Sequence, residues 1–271
     1  MRRLVIRLLP ILIAAIIVGF QYCSSEKFVN EAGRSTHVGL SLQQEERLGL
    51  QSYQQILSEV QTINSGPEFD LVRGVAMKLA ATTGKTAATG FDWQVSLVRS
   101  PQINAFCLPG GKIVVYTGIL PVAQSAPGLA TVLGHEMAHA IARHGSERLL
   151  KQQATQTLMT GVQFSLGDMS YEQRRAVMAA IGAGAQYGFI LPFSRDHESE
   201  ADYIGLMHMA RAGYDPREAI DFWGRMSGAG GGNQPPEFAS THPSHGTRIE
   251  RLKAAMPKAL EEYNKATGAQ R

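Results

Sequence analysis

The chain begins with positive charge followed by an apolar run. Arg2, Arg3 and Arg7 precede thirteen uncharged residues from Leu8 to Phe20. This order is typical of a secretory signal or a short signal-anchor, and it predicts export of everything that follows. With the residues before Arg7 included, the run reaches the lower length limit for crossing a bilayer, so cleavage and retention both remain open.

Beyond this run, apolar residues recur with helical spacing along most of the chain. Ser41 offers an N-cap to a segment rich in Gln, Glu and Leu. Apolar positions three and four residues apart predict helices over 42–63, 69–81, 128–153, 171–187, 194–212, 216–226 and 243–266. The stretch 228–236 is rich in Gly and Pro and predicts a mobile loop.

A short region between these helices has the pattern of β-structure. Residues 93–98 alternate as in a strand, and two β-rich runs, 103–107 and 112–117, flank the turn Pro109-Gly110-Gly111 as in a hairpin. The predicted fold class is therefore α+β, predominantly helical with a small β-sheet. We assign 1–25 to the signal peptide or signal-anchor, 26–41 to a polar link, 42–266 to a single domain and 267–271 to a tail.

Composition excludes several classes of protein. With 44% hydrophobic and 18% charged residues, the chain is neither disordered nor fibrous. Its net charge of +3 includes the leading arginines, and no basic stripe indicates nucleic-acid binding. Cys23 and Cys107 are too few for a disulfide scaffold or an all-cysteine metal site. Cys23 is a minor candidate for lipidation, since bulky residues precede it.

One motif in the predicted helix 128–153 points to metal chemistry. His135-Glu136-Met137-Ala138-His139 reads H-E-x-x-H, which places two imidazoles one turn apart on one face of a helix. Such a pair can bind zinc, and a tetrahedral site then needs one further protein ligand and an open position. His144 follows five residues after His139, and we interpret it as a C-terminal helix histidine favoured by the helix dipole.

An acidic segment offers better candidates for the third ligand. In a helix over 194–212, Glu198 and Asp202 share one face, so that one carboxylate can bind the metal while the other accepts the outer N–H of a ligating histidine. Glu200 points elsewhere on such a helix. The alternative for this acidic run is a solvated first turn stabilised by the helix dipole.

Several separated segments together resemble one family of metallopeptidases. They are Asn104-Ala105-Phe106 with Pro109-Gly110-Gly111, His135 to His139 extended to Arg143-His144-Gly145, Glu198 to Asp202 as E-x-E-A-D, and Thr241-His242-Pro243 with Arg248. These segments look like the gluzincin family of CAAX prenyl endopeptidases, HtpX-type peptidases and bacterial envelope assembly peptidases. The short, single-anchor envelope members are the most similar, because no further apolar span follows Phe20.

The resemblance implies a zincin-type domain with its sheet beside the active-site helix. It implies one Zn²⁺ per chain held by His135, His139 and Glu198, with Glu136 as general base. Further implied roles are a place for Asp202 directly behind the zinc ligands, a place at the metal site for His242 and support of developing negative charge by Arg248. His242 either stabilises the oxyanion or plugs the fourth zinc position.

These features predict a zinc-dependent endopeptidase acting on unfolded or misassembled cell-envelope proteins. The run containing Asn104, Ala105 and Phe106 is a candidate edge strand for pairing with an extended substrate. We expect Cys107 to be a strand residue, and His197, His208 and His245 to be structural or exposed. The predicted location is periplasmic, or membrane-anchored and facing the periplasm. The alternative is a metal-binding chaperone or assembly factor with a plugged site, against which the intact Glu136 argues.

Overall fold

The structure is a computed structural model that describes residues 2–84, 86, 88, 90–167, 169–177, 193–229, 237–242 and 246–269. Most of the predicted loop 228–236 and the second half of the predicted helix 171–187 lie outside these residues. His245 and the first residues of the predicted helix 243–266 lie outside them as well.

Helices make up most of the described chain. They are α1 Arg2–Ser24, α2 Leu42–Glu59, α3 Pro67–Ala80, α4 Leu120–Ala123, α5 Ala126–Ile141, α6 His144–Ser165, α7 Arg195–Arg211, α8 Glu218–Gly228, α9 Glu237–Thr241 and α10 Arg248–Thr267. Residues 171–177 are also helical.

Two small sheets accompany the helices. The strands are β1 Glu26–Val29, β2 Ser35–Val38, β3 Thr62–Ile63, β4 Gln94–Val98, β5 Ala105–Leu108 and β6 Lys112–Tyr116. β1 and β2 form an antiparallel hairpin. The other sheet has the order β3-β4-β6-β5, in which β4 and β6 are parallel and the two outer pairs are antiparallel. The predicted α+β, mainly helical fold class is confirmed.

The described residues fall into two compact units. One unit comprises 2–29, 35–41 and 146–177, and the other comprises 30–34, 42–145 and the described residues from 193 onwards. In the second unit, α3, α5, α7 and α8 enclose one hydrophobic core together with the four-stranded sheet, and β5 packs directly beside α5. Burial of these apolar faces is the main favourable contribution to the stability of this unit. The prediction of a single domain over 42–266 stays a prediction.

The first unit contains the apolar N-terminal helix. α1 packs against α6 where Gly161 meets Ala14, so closely that a Cβ atom at Gly161 would lie 2.6 Å from that of Ala14. Much of its remaining apolar surface is exposed, including 74% of Phe20. Among the described residues, Arg7–Ser24 is the one helical stretch long and apolar enough to cross a membrane.

Three predicted elements differ from the structure. The helix 42–63 ends at Glu59, because Thr62 and Ile63 pair with β4. The single helix 128–153 is wrong: the chain leaves the helix at Arg143, whose φ of 56° is left-handed, and a new helix begins at His144. The predicted polar link contains the β1–β2 hairpin. The sequence pattern did not predict this hairpin, because its strands are short and polar.

Candidate active site

The H-E-x-x-H motif lies in α5, a helix buried along nearly its whole length. Ser125 caps its N-terminus by accepting a hydrogen bond from the N–H of Gly128, and Pro127 lies in the first turn, where no amide donor is needed. His135 and His139 face the same side, with their Nε2 atoms 3.2 Å apart. Two imidazole nitrogens thus converge inside the protein.

A carboxylate from α7 lies beside the two imidazoles. The side chain of Ser194 caps this helix by accepting from the N–H of His197. Glu198, only 1% exposed, has one oxygen 3.5 Å from Nε2 of His135 and the other 3.6 Å from Nε2 of His139. The two segments that the sequence pattern relates to one another therefore meet in the folded chain.

Two glycines permit this approach of α5 and α7. A Cβ atom at Gly205 would lie 2.7 Å from the carbonyl carbon of Gly134 and from the backbone nitrogen of His135, a distance that real side chains do not tolerate. Because neither residue has a side chain, the backbones of the two helices can touch directly. The spacing between the imidazoles and Glu198 depends on this contact.

His242 brings a fourth donor to the same place. Its Nδ1 lies 3.0 Å from Glu198 and 3.4 Å from Nε2 of His135. Its ring lies near two aromatic rings, with centroid distances of 5.3 Å to Phe193 and 4.6 Å to Phe238. This neighbourhood restrains the imidazole.

The donor set fits a zinc ion. One potential ligand atom from each of His135, His139, Glu198 and His242 lies within 4.8 Å of the others, and all four residues are buried. Imidazole nitrogen and carboxylate oxygen are zinc ligands, and three protein ligands with one exchangeable position are the arrangement of catalytic sites.

Asp202 and Arg248 form hydrogen bonds with members of this donor set. Asp202 lies 2.9 Å from Nδ1 of His135, one turn after Glu198 on α7. Arg248 donates from Nε to Asp202 at 2.8 Å and from Nη2 to Glu198 at 2.7 Å, and its guanidinium lies 4.0 Å above the ring of Trp223. Arg248 therefore binds the two carboxylates from behind, whereas the sequence resemblance implied support of developing charge on the substrate.

The charges in this cluster shift the pKa values of its members. Burial raises the pKa of Glu198, but hydrogen bonds with His135 and His242 outweigh it and hold the pKa well below its usual range. Burial lowers the pKa of His135, whereas its hydrogen bonds with Asp202 and Glu198 raise it, to about 9. Burial lowers the pKa of His139 well below its usual value, and the neighbouring histidines add to this effect. A buried neutral imidazole is the form that binds a metal.

Glu136 differs from the other carboxylates of the site. Burial raises its pKa above the ordinary value. Its Oε1 has no hydrogen-bond partner among the residues that the structure describes, and it lies 3.6 Å from Nε2 of His242. A buried carboxylate oxygen left without a donor next to the imidazoles is suited to receive a proton from a reactant.

The residues predicted to meet an extended substrate lie at one edge of the four-stranded sheet. Ala105 and Phe106 belong to β5, the outermost strand in that order, and the carbonyl of Asn104 accepts from the N–H of Tyr116. The structure thus places the candidate substrate strand beside the helix that carries the H-E-x-x-H motif. Cys107 lies in the same strand, and burial raises the pKa of its thiol.

Sequence reasoning missed the contacts of His144 and Glu200, two residues close to the proposed zinc donors. The structure contradicts the interpretation of His144 as a C-terminal helix histidine: it is the first residue of α6, fully buried, with Nδ1 2.9 Å from Nδ1 of His139. Its Nε2 lies 3.0 Å from Glu200. The spacing of five residues between His139 and His144 was visible, but it became informative only once the helix break at Arg143 was known. His197 stacks on His144, and His208 is buried elsewhere on α7.

The sequence of the chain is similar to those of known metallopeptidases. The sequence model of peptidase family M48 matches residues 70–256. The chain is 35% identical over 245 residues to the mitochondrial metalloendopeptidase OMA1 of Schizosaccharomyces pombe, which covers 89% of this chain and 69% of that protein. It is 28% identical over 255 residues to the beta-barrel assembly-enhancing protease of Escherichia coli, covering 92% of this chain and 52% of that protein. Together with the buried donor set, these matches confirm the resemblance seen in the sequence, and the chain is a zinc metalloendopeptidase of peptidase family M48.

Proposed function

We propose that His135, His139 and Glu198 hold the zinc ion and that Glu136 is the general base of peptide hydrolysis. The observation that carries this assignment is the convergence of two imidazole nitrogens and one carboxylate in a buried cluster, with Glu136 on the same helix as the imidazoles. Asp202 orients His135, and Arg248 holds both Asp202 and Glu198 in place.

The zinc ion and Glu136 have different roles in the proposed reaction. A zinc ion held here would lower the pKa of a water molecule and polarise the scissile carbonyl. Glu136 accepts the proton of the attacking water and delivers it to the leaving amine, so that no covalent intermediate with the protein forms. The raised pKa of Glu136 suits both halves of this transfer, because the group must gain and lose a proton near neutral pH.

The proposed substrates are unfolded or misassembled proteins of the cell envelope. Edge strand β5 supports this proposal, because an added strand is recognised mainly through its backbone and an extended chain of almost any sequence can pair with it. The name of the E. coli relative refers to the assembly of β-barrels. Several other relatives are named as mitochondrial metalloendopeptidases.

The proposed location is the outer side of a membrane, with α1 as the anchor. The arginines ahead of the apolar run favour retention of the N-terminus inside and export of the rest, which in a bacterial cell places the catalytic unit in the periplasm. The exposed apolar residues of α1 support contact with lipid.

A second candidate function is that of a metal-binding chaperone or assembly factor. The position of His242 favours it, because a fourth protein donor beside Glu198 fills the place that a reactive water needs. In that case the protein would bind zinc and unfolded chains but cleave them only when His242 moves away.

Cleavage of an unfolded protein by the wild type and by Glu136→Gln tests the two candidates. We expect the substitution to lower kcat by a factor of about 10² to 10⁴ while zinc remains bound, because the amide cannot accept the proton. Glu250→Gln, a change of an exposed carboxylate on α10, serves as the control and should leave kcat unchanged. Chelation should abolish the wild-type activity, and added zinc should restore it.

Undiminished cleavage by Glu136→Gln would remove Glu136 as the base. A zinc-loaded wild type that binds unfolded protein without cleaving it would instead support the chaperone.

A further inference from the structure

We propose that His144 and Glu200 are positioning residues of the metal site, which hold His139 in the orientation and tautomer that present its Nε2 to the ion. The inference rests on the ligand role proposed above for His139. It concerns a chain of contacts to that ligand that is separate from the contacts of Asp202 and Arg248.

The geometry of this chain is continuous. Nδ1 of His139 lies 2.9 Å from Nδ1 of His144, and Nε2 of His144 lies 3.0 Å from a carboxylate oxygen of Glu200. His139 and His144 are buried, and Glu200 is 8% exposed. In this setting each polar atom depends on its protein partner, because bulk water has little access.

Proton positions follow from the chemistry of these partners. An ionised carboxylate only accepts hydrogen bonds, so Nε2 of His144 carries the proton that points to Glu200. The neutral imidazole then has a lone pair at Nδ1, which accepts the N–H at Nδ1 of His139. His139 in turn keeps its lone pair at Nε2, the atom that faces His135 and Glu198.

Glu200 is fixed from its far side by the tip of the β1–β2 hairpin. Arg34 donates to both of its oxygens, and Nδ2 of Asn30 donates to one of them. The side-chain oxygen of Asn30 accepts from the backbone N–H groups of Ala32 and Arg34, which fixes the turn. Since every donor around it requires an oxygen acceptor, an amide at position 200 would place an N–H group against another donor.

The two imidazoles of the motif are thus supported in different ways. His135 meets the carboxylate of Asp202 directly, whereas His139 reaches Glu200 through a second imidazole. Outer partners of this kind fix the ring orientation of a metal ligand, and their loss weakens metal binding by a factor of about 10 to 100.

Zinc affinity, measured by competition with a chromophoric chelator, tests the chain of contacts in the full-length protein. We expect Glu200→Gln and His144→Phe each to weaken zinc binding by a factor of about 10 to 100. The visible absorption spectrum of the Co²⁺-substituted protein should change in both variants, because the orientation of a ligand has changed. Arg34→Gln, at the far end, should show a smaller loss of affinity.

The matched control is Glu31→Gln, which removes a carboxylate from the same hairpin tip. Glu31 forms its hydrogen bonds with His208 and Arg211, away from the contacts that hold Glu200. We expect this variant to keep the zinc affinity and the Co²⁺ spectrum of the wild type even though its stability falls.

The outcomes separate this inference from the ligand assignment. Zinc affinity within about twofold of the wild type in Glu200→Gln and Arg34→Gln, with binding lost in His139→Ala, would overturn the positioning roles alone. Equal losses in Glu31→Gln and Glu200→Gln would overturn them too, because displacement of the tip would then suffice. Unchanged zinc binding in His139→Ala would overturn the ligand assignment itself.

Discussion

His242 shares a small buried volume with the three proposed zinc ligands, and this position has a consequence for activity. Its Nδ1 contacts Glu198 while its Nε2 faces Glu136, so the ring lies between the proposed ligand and the proposed base. An imidazole held there by Phe193 and Phe238 occupies space that a substrate carbonyl and a water need. We therefore interpret the structure as a resting state.

Replacement of His242 by alanine should raise kcat/KM several-fold. The expected gain arises because the fourth position becomes open to water and substrate without a preceding movement of the side chain. Cleavage of an unfolded protein at several substrate concentrations measures the effect. A loss of activity would assign His242 to stabilisation of the oxyanion, and no change would exclude both roles.

Glu31 offers a prediction about pH and stability. Burial raises its pKa, but the hydrogen bonds and charges of His208 and Arg211 outweigh this and lower it below the ordinary value. A lowered pKa means that the carboxylate stabilises the fold above the pKa of the unfolded chain, and that this contribution disappears as pH falls. We expect Glu31→Gln to lower the free energy of unfolding by about 1 kcal/mol at pH 7.

Thermal unfolding of wild type and Glu31→Gln between neutral and acidic pH checks this. The difference in Tm should shrink steadily as the pH falls below the ordinary pKa of glutamate, and it should vanish once Glu31 is protonated in both states. A difference independent of pH would show that packing rather than charge is responsible.

Single residues also show where sequence reasoning succeeded and where it failed. Helix periodicity was enough to pair His135 with His139 and Glu198 with Asp202, because the members of each pair lie four residues apart. The role of each residue came from the family resemblance. His144 and Glu200 could not be related to each other in this way. Their contact depends on a left-handed residue between α5 and α6 and on a hairpin tip distant in sequence.

At the scale of elements, the contact of α5 with α7 determines the distance between the proposed ligands. The two helices touch at Gly134 and Gly205, one residue before His135 and three residues after Asp202. Any side chain at this crossing must separate the helices, and Glu198 would move away from the imidazoles.

Gly205→Ala should therefore destabilise the protein by about 2–3 kcal/mol, since an added methyl group has no space. It should also weaken zinc binding. Gly74→Ala in α3 is the matched control, because a Cβ atom there meets nothing within 4 Å. That change should stabilise the helix by about 0.5–1 kcal/mol. Denaturant unfolding of both variants gives the comparison, and equal effects would show that the helix crossing is not tight.

Most element positions and many of their ends could be predicted from local patterns, whereas the break between α5 and α6 could not. Helix α7 and strands β4 to β6 lie within two residues of their predicted bounds, because apolar spacing and capping residues are local signals. The break after α5 is not local. Arg143 adopts its left-handed conformation while buried and paired at 2.9 Å with Glu45, a residue of α2. Tertiary contacts of this kind leave no trace in the pattern of the helix itself.

At the scale of the whole molecule, we propose that α1 holds the enzyme at a membrane. We expect the full-length chain to retain this helix and to sediment with membranes, because α1 is a continuous helix to Ser24 and exposes many of its apolar side chains. Mass spectrometry of the N-terminus and extraction of membranes with carbonate provide the measurements. A mature chain that begins after Ser24 and stays in solution would identify a cleaved signal peptide.

The proposed zinc ligands come from two separate helices, α5 and α7. A growing polypeptide that has reached only the end of α5 offers an ion the two imidazoles but lacks the carboxylate of Glu198. Tight metal binding therefore requires that α7 has been synthesised and has packed against α5, because metal binding is coupled to folding. The hydrolytic centre is therefore assembled late, after most of the scaffold has been synthesised.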